Sequence, residues 1–224
     1  MFHERFPDHK RHAARIFGDA GYQTWLLGLF HETYLPETLG FDRIDTLQSK
    51  RTALDLPEAL DRRPRTRDPN KPFYCQPGSQ ETHRPWSKMG EPPDESLGVT
   101  VPDYLHDGPL TRDDLAHLHG SVSRLDRGLG GVLAVLEDHG LADNTILVVT
   151  TDHGIPFPRT KTTLYDSGIG VYLFLRYPGG GVGARGRGRV PFASRQTEYE
   201  YETGNNPTGG MPFRQSFRGD SPVR

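Results

Sequence analysis

Asp152, His153 and Gly154 stand together at the end of an apolar and β-branched run, Thr145–Thr151, and Lys161 follows on a loop stiffened by Pro156 and Pro158. A carboxylate, an imidazole and a lysine ammonium in that order can hold a metal ion and an anionic group bound to it. Two more histidines, His31 and His83, each follow another apolar run. The triplet also has a purely structural use, in which Asp caps a turn and Gly supplies the positive φ the turn needs. Its surroundings decide between the two.

The elements that would position these residues can be read from periodicity. Thr145–Thr151 reads as a strand buried on both faces, the pattern of a central parallel strand. An acid and an imidazole at its carboxyl end sit where open α/β sheets place ligands. Residues 8–20 read as a helix with a stripe of Ala13, Ala14, Ile16, Phe17 and Ala20, stopped by Gly21. Tyr22–Gly28 reads as a strand, with His31 and Glu32 beyond its end. Residues 51–60 are expected to be helical, and 61–70, charged and holding Pro64 and Pro69, an exposed loop.

A third strand is expected at Pro72–Cys75, followed by Glu81–Trp86 with His83 inside it, then a long Pro- and Gly-rich surface loop over 87–110. The longest helix starts at Thr111, where Thr111 and Asp114 fit a capping box. Leu115, Leu118, Val122, Leu125, Leu129, Val132, Leu133 and Leu136 then recur at three- and four-residue spacing until Gly140. Ile169–Tyr177 is the last strand expected. Helix-to-strand units in succession point to an α/β fold with a mostly parallel sheet, and its strand ends would bring His31, His83 and Asp152–His153 to one edge. The other histidines, His3, His9, His12, His106, His117, His119 and His139, fall on helices or loops and are given no role.

Composition narrows the class. The 224 residues fit one large α/β domain or most of one. Hydrophobic content of 33%, charged content of 25%, 26 Gly and 19 Pro imply many loops around a core confined to a few elements. A net charge of -2 gives no nucleic-acid footprint, and the arginine clusters at 62–67 and 185–189 read as solvated loops. The single cysteine, Cys75, excludes an internal disulfide and reads as a buried strand residue. No apolar stretch is long enough to cross a membrane, and Met1–Arg5 lacks the core of a signal peptide, so the chain as written is expected to be cytoplasmic. From Gly179 onward periodicity is lost, and 179–224 is expected to form a disordered Gly/Arg-rich tail beside a domain at 1–178.

Taken in order, these segments resemble the sulfatase family of the alkaline-phosphatase-like superfamily, closest to its heparan N-sulfatase branch. Ala20–Thr24 resembles A-G-Y-x-T, Gly28–His31 resembles G-K-x-H, and Leu39–Asp42 matches L-G-F-D. Lys71–Phe73 with Glu81–Pro85 resembles the K-P-F-F to H-x-P segment. Asp143–Gly154 matches D-N-T-x-V-x-x-T-S-D-H-G, and Lys161–Asp166 falls on K-x-x-x-Y-E. The resemblance implies that Asp152 and His153 are ligands of a calcium ion, although an imidazole is a soft donor for a cation that prefers oxygen. It implies that Lys161 and His83 touch sulfate oxygens and that His31 acts as an acid/base group. The implied substrate is a sulfated small molecule or sugar.

The chain departs from the pattern in three places. The formylglycine segment C/S-x-P-S/A-R and the first strand with two Asp ligands have no counterpart, and Cys75–Ser79 has the wrong place and sequence for it. Leu29 replaces the lysine of G-K-x-H, and the Gly/Arg-rich end stands where the family has a later helix. The resemblance therefore implies a catalytic domain truncated at both ends, with little turnover alone. Family members are often exported, by a signal that would lie upstream. Two alternatives remain open: a metal-dependent phosphatase or phosphodiesterase of the same superfamily, where zinc would suit His153, and a non-catalytic remnant.

Overall fold

Helix α1, Ala13–Asp19, begins where the His12 Nδ1 accepts the Ala14 N–H at 3.1 Å, and it ends before Gly21, whose φ of 88° only glycine adopts without strain. The computed structural model describes residues 11–46, 52–86 and 91–178. Positions 8–10 of the expected helix, residue 51 and the expected tail at 179–224 lie outside the described residues. Strand β1, Gln23–Gly28, follows the glycine turn, with Thr24 to Gly28 buried. It pairs in parallel with β2, Arg43–Asp45, on one side and with β3, Phe73–Gly78, on the other. The order β2-β1-β3 makes a three-stranded parallel sheet.

Both faces of β1 are covered, because consecutive side chains point to opposite sides. Leu26 packs with Ala14, Leu39 and Phe41 on the α1 face. Leu27 packs on the opposite face with α2, Leu56–Asp61, and with Val132 and Leu136 of α3, Pro109–Asp138. Each fully buried leucine contributes about 1.5–3 kcal/mol. The molecule is thus a mixed α/β structure with a parallel sheet flanked by helices.

Three sequence expectations fail in detail. The long helix starts at Pro109, with Gly108 as an N-cap that offers no side chain. Thr111 and Asp114 are therefore already helical and form no capping box, and the Asp114 carboxylate is used elsewhere. The strand expected at Thr145–Thr151 is β4, Leu147–Thr150. It is neither central nor parallel: it pairs antiparallel with β5, Leu173–Arg176, in a separate two-stranded sheet. Its residues alternate between half-buried and exposed, with Val148 53% exposed, so it is not covered on both faces. An apolar run sets which residues favour burial, but only packing partners bury them, and in this sheet of two strands one face has few. The last expected strand, Ile169–Tyr177, is shortened to β5, with Ile169 taken into the one-turn helix α4, Asp166–Ile169, and 170–172 left outside regular structure.

Candidate functional site

Parallel pairing places Gly28 opposite Gly78, so β1 and β3 end at the same edge. His31 lies three residues beyond that edge and His83 five residues beyond it, both exposed. Beside His31, Glu32 accepts a hydrogen bond from Gln76 at 2.7 Å and faces the buried His12, whose Nε2 lies 3.2 Å away. The hydrogen bond from His12, then that from Gln76, outweighs burial and holds the Glu32 carboxyl below its ordinary value. Sequence reading left His12 and Glu32 without a role, and the structure makes them the anchor of the segment that carries His31.

The His83 segment is clamped to α3 at two points. The Glu81 side chain, with no solvent exposure, accepts Arg124 Nε at 3.1 Å and the Ala53 N–H at 2.8 Å. Further along, Arg84 and Trp86 both donate to Asp114: Arg84 Nη1 at 2.9 Å, Arg84 Nη2 in a second bond, and Trp86 Nε1 at 2.6 Å. Ten residues of helix separate the two clamps, roughly 15 Å along its axis. The guanidinium also lies 4.9 Å from the Trp86 ring and 4.7 Å from the Phe157 ring, within cation–π range.

Arg84 then reaches the second half of the site. Its Nε donates to the Pro156 carbonyl at 2.8 Å, which ties the His83 segment to the loop after Gly154. That loop is built on close backbone contacts. The Gly154 N–H donates to the Gly168 carbonyl at 2.9 Å, and any Cβ at Gly154 would collide with the Ser167 carbonyl. The glycine is there for close approach; positive φ is found instead at Arg159, 65°, and Thr162, 70°, on either side of Lys161. Thr160, with no solvent exposure, fixes this turn by accepting the Phe157 N–H at 3.0 Å and donating to the carbonyls of Ile155 and Phe157.

The two site histidines share one arrangement. His83 Nδ1 lies 2.5 Å from the Arg84 carbonyl, and His153 Nδ1 lies 2.7 Å from the Gly154 carbonyl. A carbonyl can only accept, so each Nδ1 carries the proton and each Nε2 is left for a ligand. The His153 Nε2 stands 3.5 Å from the exposed Asp152 carboxylate. The structure thus brings Asp152 and His153 together and ties His83 to their loop. Among the described residues no cluster of three or more His, Cys, Asp or Glu side chains could hold a metal, so His31 and His83 do not complete a ligand set with that pair.

Cys75 is not part of the site. It sits in β3 against the Leu27–Leu60 core, half-buried rather than fully buried as the sequence suggested, and burial pushes its thiol up to about 12, which disfavours the thiolate a nucleophile needs.

The family model described as Sulfatase matches residues 5–198. The chain is 29% identical over 199 residues to N-sulphoglucosamine sulphohydrolase of Homo sapiens, covering 76% of this chain and 39% of the human protein. It is 40% identical over 78 residues to an ulvan-active sulfatase of Formosa agariphila, covering 35% of this chain and 13% of that protein. Among solved structures, one described as a complex with its substrate D-glucosamine-2-N,6-O-disulfate superposes with a TM-score of 0.54 at 18% identity, over 77% of this chain and 56% of the other. The chain spans well under half the length of these two sequence relatives.

Proposed function

The chain belongs to the sulfatase family, and from that premise we propose that it forms part of the catalytic body of a hydrolase acting on the sulfate ester or N-sulfate of a sulfated sugar. The observation that supports the reading is the bond from Arg84 to the Pro156 carbonyl, which links the segment carrying His83 to the loop that runs from Asp152 to Lys161. Lys161 is the cation and His83 Nε2 the imidazole offered to sulfate oxygens, where positive donors stabilise charge as it develops. His31 supplies acid/base assistance from the β1 edge.

The donors at Asp152 and His153 fit a divalent cation in part. With the Nδ1–H of His153 bound to a carbonyl, Nε2 is the ring nitrogen that faces the carboxylate oxygen, 3.5 Å away. A divalent cation could be held between them by the neutral imidazole and the carboxylate. Calcium is the expected ion, and zinc, which accepts an imidazole more readily, is the ion the phosphatase alternative would use. When bound, the cation supplies Lewis-acid polarisation of the sulfate.

No C/S-x-P-S/A-R segment occurs in the 224 residues, so the chain alone is expected to bind substrate and to turn it over little or not at all. Calorimetric titration with D-glucosamine-2-N,6-O-disulfate in calcium tests the reading. Binding that weakens on chelation and in Asp152→Ala supports it. Preference for a phosphomonoester in zinc would move the assignment to a phosphatase, and binding of neither would leave a non-catalytic remnant.

A further inference from the structure

An open cleft of about 390 Å³ lies beside the Lys161 turn, between the start of α3, the Tyr104–His106 loop and the Phe157–Arg159 turn. Its walls combine aromatic rings, Tyr104 and Phe157, with Thr111, His106 and two arginines, Arg84 and Arg159. The arginines are not equivalent. Arg84 is neutralised by Asp114 and its plane is occupied by Trp86 and Phe157. Neighbouring acids are occupied as well: Asp107 is bound to Arg112 at 2.6 Å and 2.7 Å. The Arg159 guanidinium is exposed and has no hydrogen bond or ion pair among the described residues.

Arg159 is also held in a costly backbone state. Its φ is 65°, and its carbonyl accepts Ser167 Oγ at 2.6 Å and Thr163 Oγ1 at 3.3 Å. Beside it, the buried Thr160 locks the turn from within. A rigid turn therefore presents a cation without a partner to a cleft lined by rings. Lys161 leaves the same turn two residues later, so the two Cα atoms lie at most about 7 Å apart. That spacing is the scale of one sugar ring.

We propose that this cleft is a second anion subsite, in which Arg159 binds a further sulfate or carboxylate on a sugar whose reacting sulfate lies at Lys161, with Tyr104 and Phe157 against the sugar. The inference rests on the functional reading above and adds to it a preference for polyanionic over singly sulfated sugars. A planar guanidinium suits either anion because it can donate two parallel hydrogen bonds.

The test is a set of binding titrations on the full chain, with D-glucosamine-2-N,6-O-disulfate, the 2-N-monosulfate and a uronate-linked N-sulfated disaccharide as probes. The informative variant is Arg159→Gly, because glycine adopts a φ of 65° freely and the turn is kept. Wild type is expected to bind at least one doubly charged sugar about tenfold more tightly than the monosulfate, the size of one charge-assisted hydrogen-bonded contact. Arg159→Gly should erase that ratio and leave monosulfate affinity unchanged, Arg159→Lys should restore part of it, and Lys161→Ala should weaken all three probes. Loss confined to the disulfate or to the disaccharide identifies the anion as sulfate or carboxylate. If the ratio survives in Arg159→Gly, the subsite is wrong while the reading at Lys161 stands. If wild type binds none of the sugars, both fall together.

Discussion

Arg84 and Asp114 form a two-pronged ion pair that joins the loop after β3 to the second turn of α3, thirty residues away in sequence. Both groups are partly exposed, at 38% and 30%. The pair does more than join two elements, because the same guanidinium bonds to the loop beyond Gly154. Replacing Arg84 by Met keeps the stem packed on Trp86 and removes the bonds. Partial solvent screening limits the loss, which is expected to be about 1–3 kcal/mol in urea unfolding. Sulfated-sugar binding should weaken in the same variant, since His83 and Pro156 would no longer be held together. Unchanged stability and binding would show the pair to be incidental.

The acid limb of the stability curve should have a traceable contributor in Asp94. Its carboxyl is held down to about 2 from 3.8 by the Ser96 side chain and backbone and by Ser123 Oγ. A carboxyl depressed in the folded state stabilises fully above its unfolded value and loses that contribution as pH falls through the folded one. Asp94→Asn should therefore flatten stability between pH 3.8 and about 2 and leave the neutral side of the profile in shape. An acid limb of unchanged slope in that window would count against the assignment.

Near His31 the same logic applies to Glu32, held below its ordinary 4.5 chiefly by the hydrogen bond from His12. Its contribution is complete above 4.5 and is lost as pH falls below it. Glu32→Gln should shrink the stability difference between pH 6 and pH 3, measured by thermal melts across that range. If melts of the two proteins track each other throughout, the His12–Glu32 contact carries no weight.

Cys75, half-buried against the core, should still be slow to react. With its thiol at about 12, native protein at pH 8 is expected to resist iodoacetamide until unfolded. Cys75→Ala should cost about 1–2 kcal/mol through the cavity it leaves. Rapid labelling of the folded chain would place the thiol at the surface.

Gly154→Ala is expected to be the most damaging single methyl addition in the site loop. The new Cβ would meet backbone at Ser167, which cannot swing aside as a side-chain tip could. The loss should be about 1–3 kcal/mol, with cation binding at Asp152 reduced alongside. Wild-type stability together with wild-type cation binding would mean that the contact between this loop and α4 is loose.

Much of the fold could be read from local patterns, and the pieces that could not depend on distant partners. The α3 helix was readable because Leu115, Leu118, Val132 and Leu136 repeat at helical spacing and are buried as that spacing predicts. Gly21 was readable because a helix stop needs its φ. Asp114 was misread: three residues after a threonine it looks like a cap, and nothing local reveals an arginine thirty positions earlier. The strand seat of Cys75 was readable from its neighbours although its full burial was not, and the parallel, doubly covered setting assigned to β4 was not readable either, since neighbours come from other segments. In the site, Asp152 and His153 came together as adjacent residues must, whereas the Arg84 bridge and the lone Arg159 required the folded loops.

The separate β4–β5 sheet has a consequence for how the molecule breathes. With Val148, Leu173 and Leu175 more than half exposed and only two strands in register, this sheet has few contacts to resist opening. Amide exchange should therefore sort the chain into two tiers, slow at Thr24–Gly28 and fast at Leu147–Thr150. Asp152 and His153 should then fall in the fast tier and His31 at the margin of the slow one. A ligand spanning both would couple the tiers, so its presence should register as slowed exchange in β4 with little change in β1.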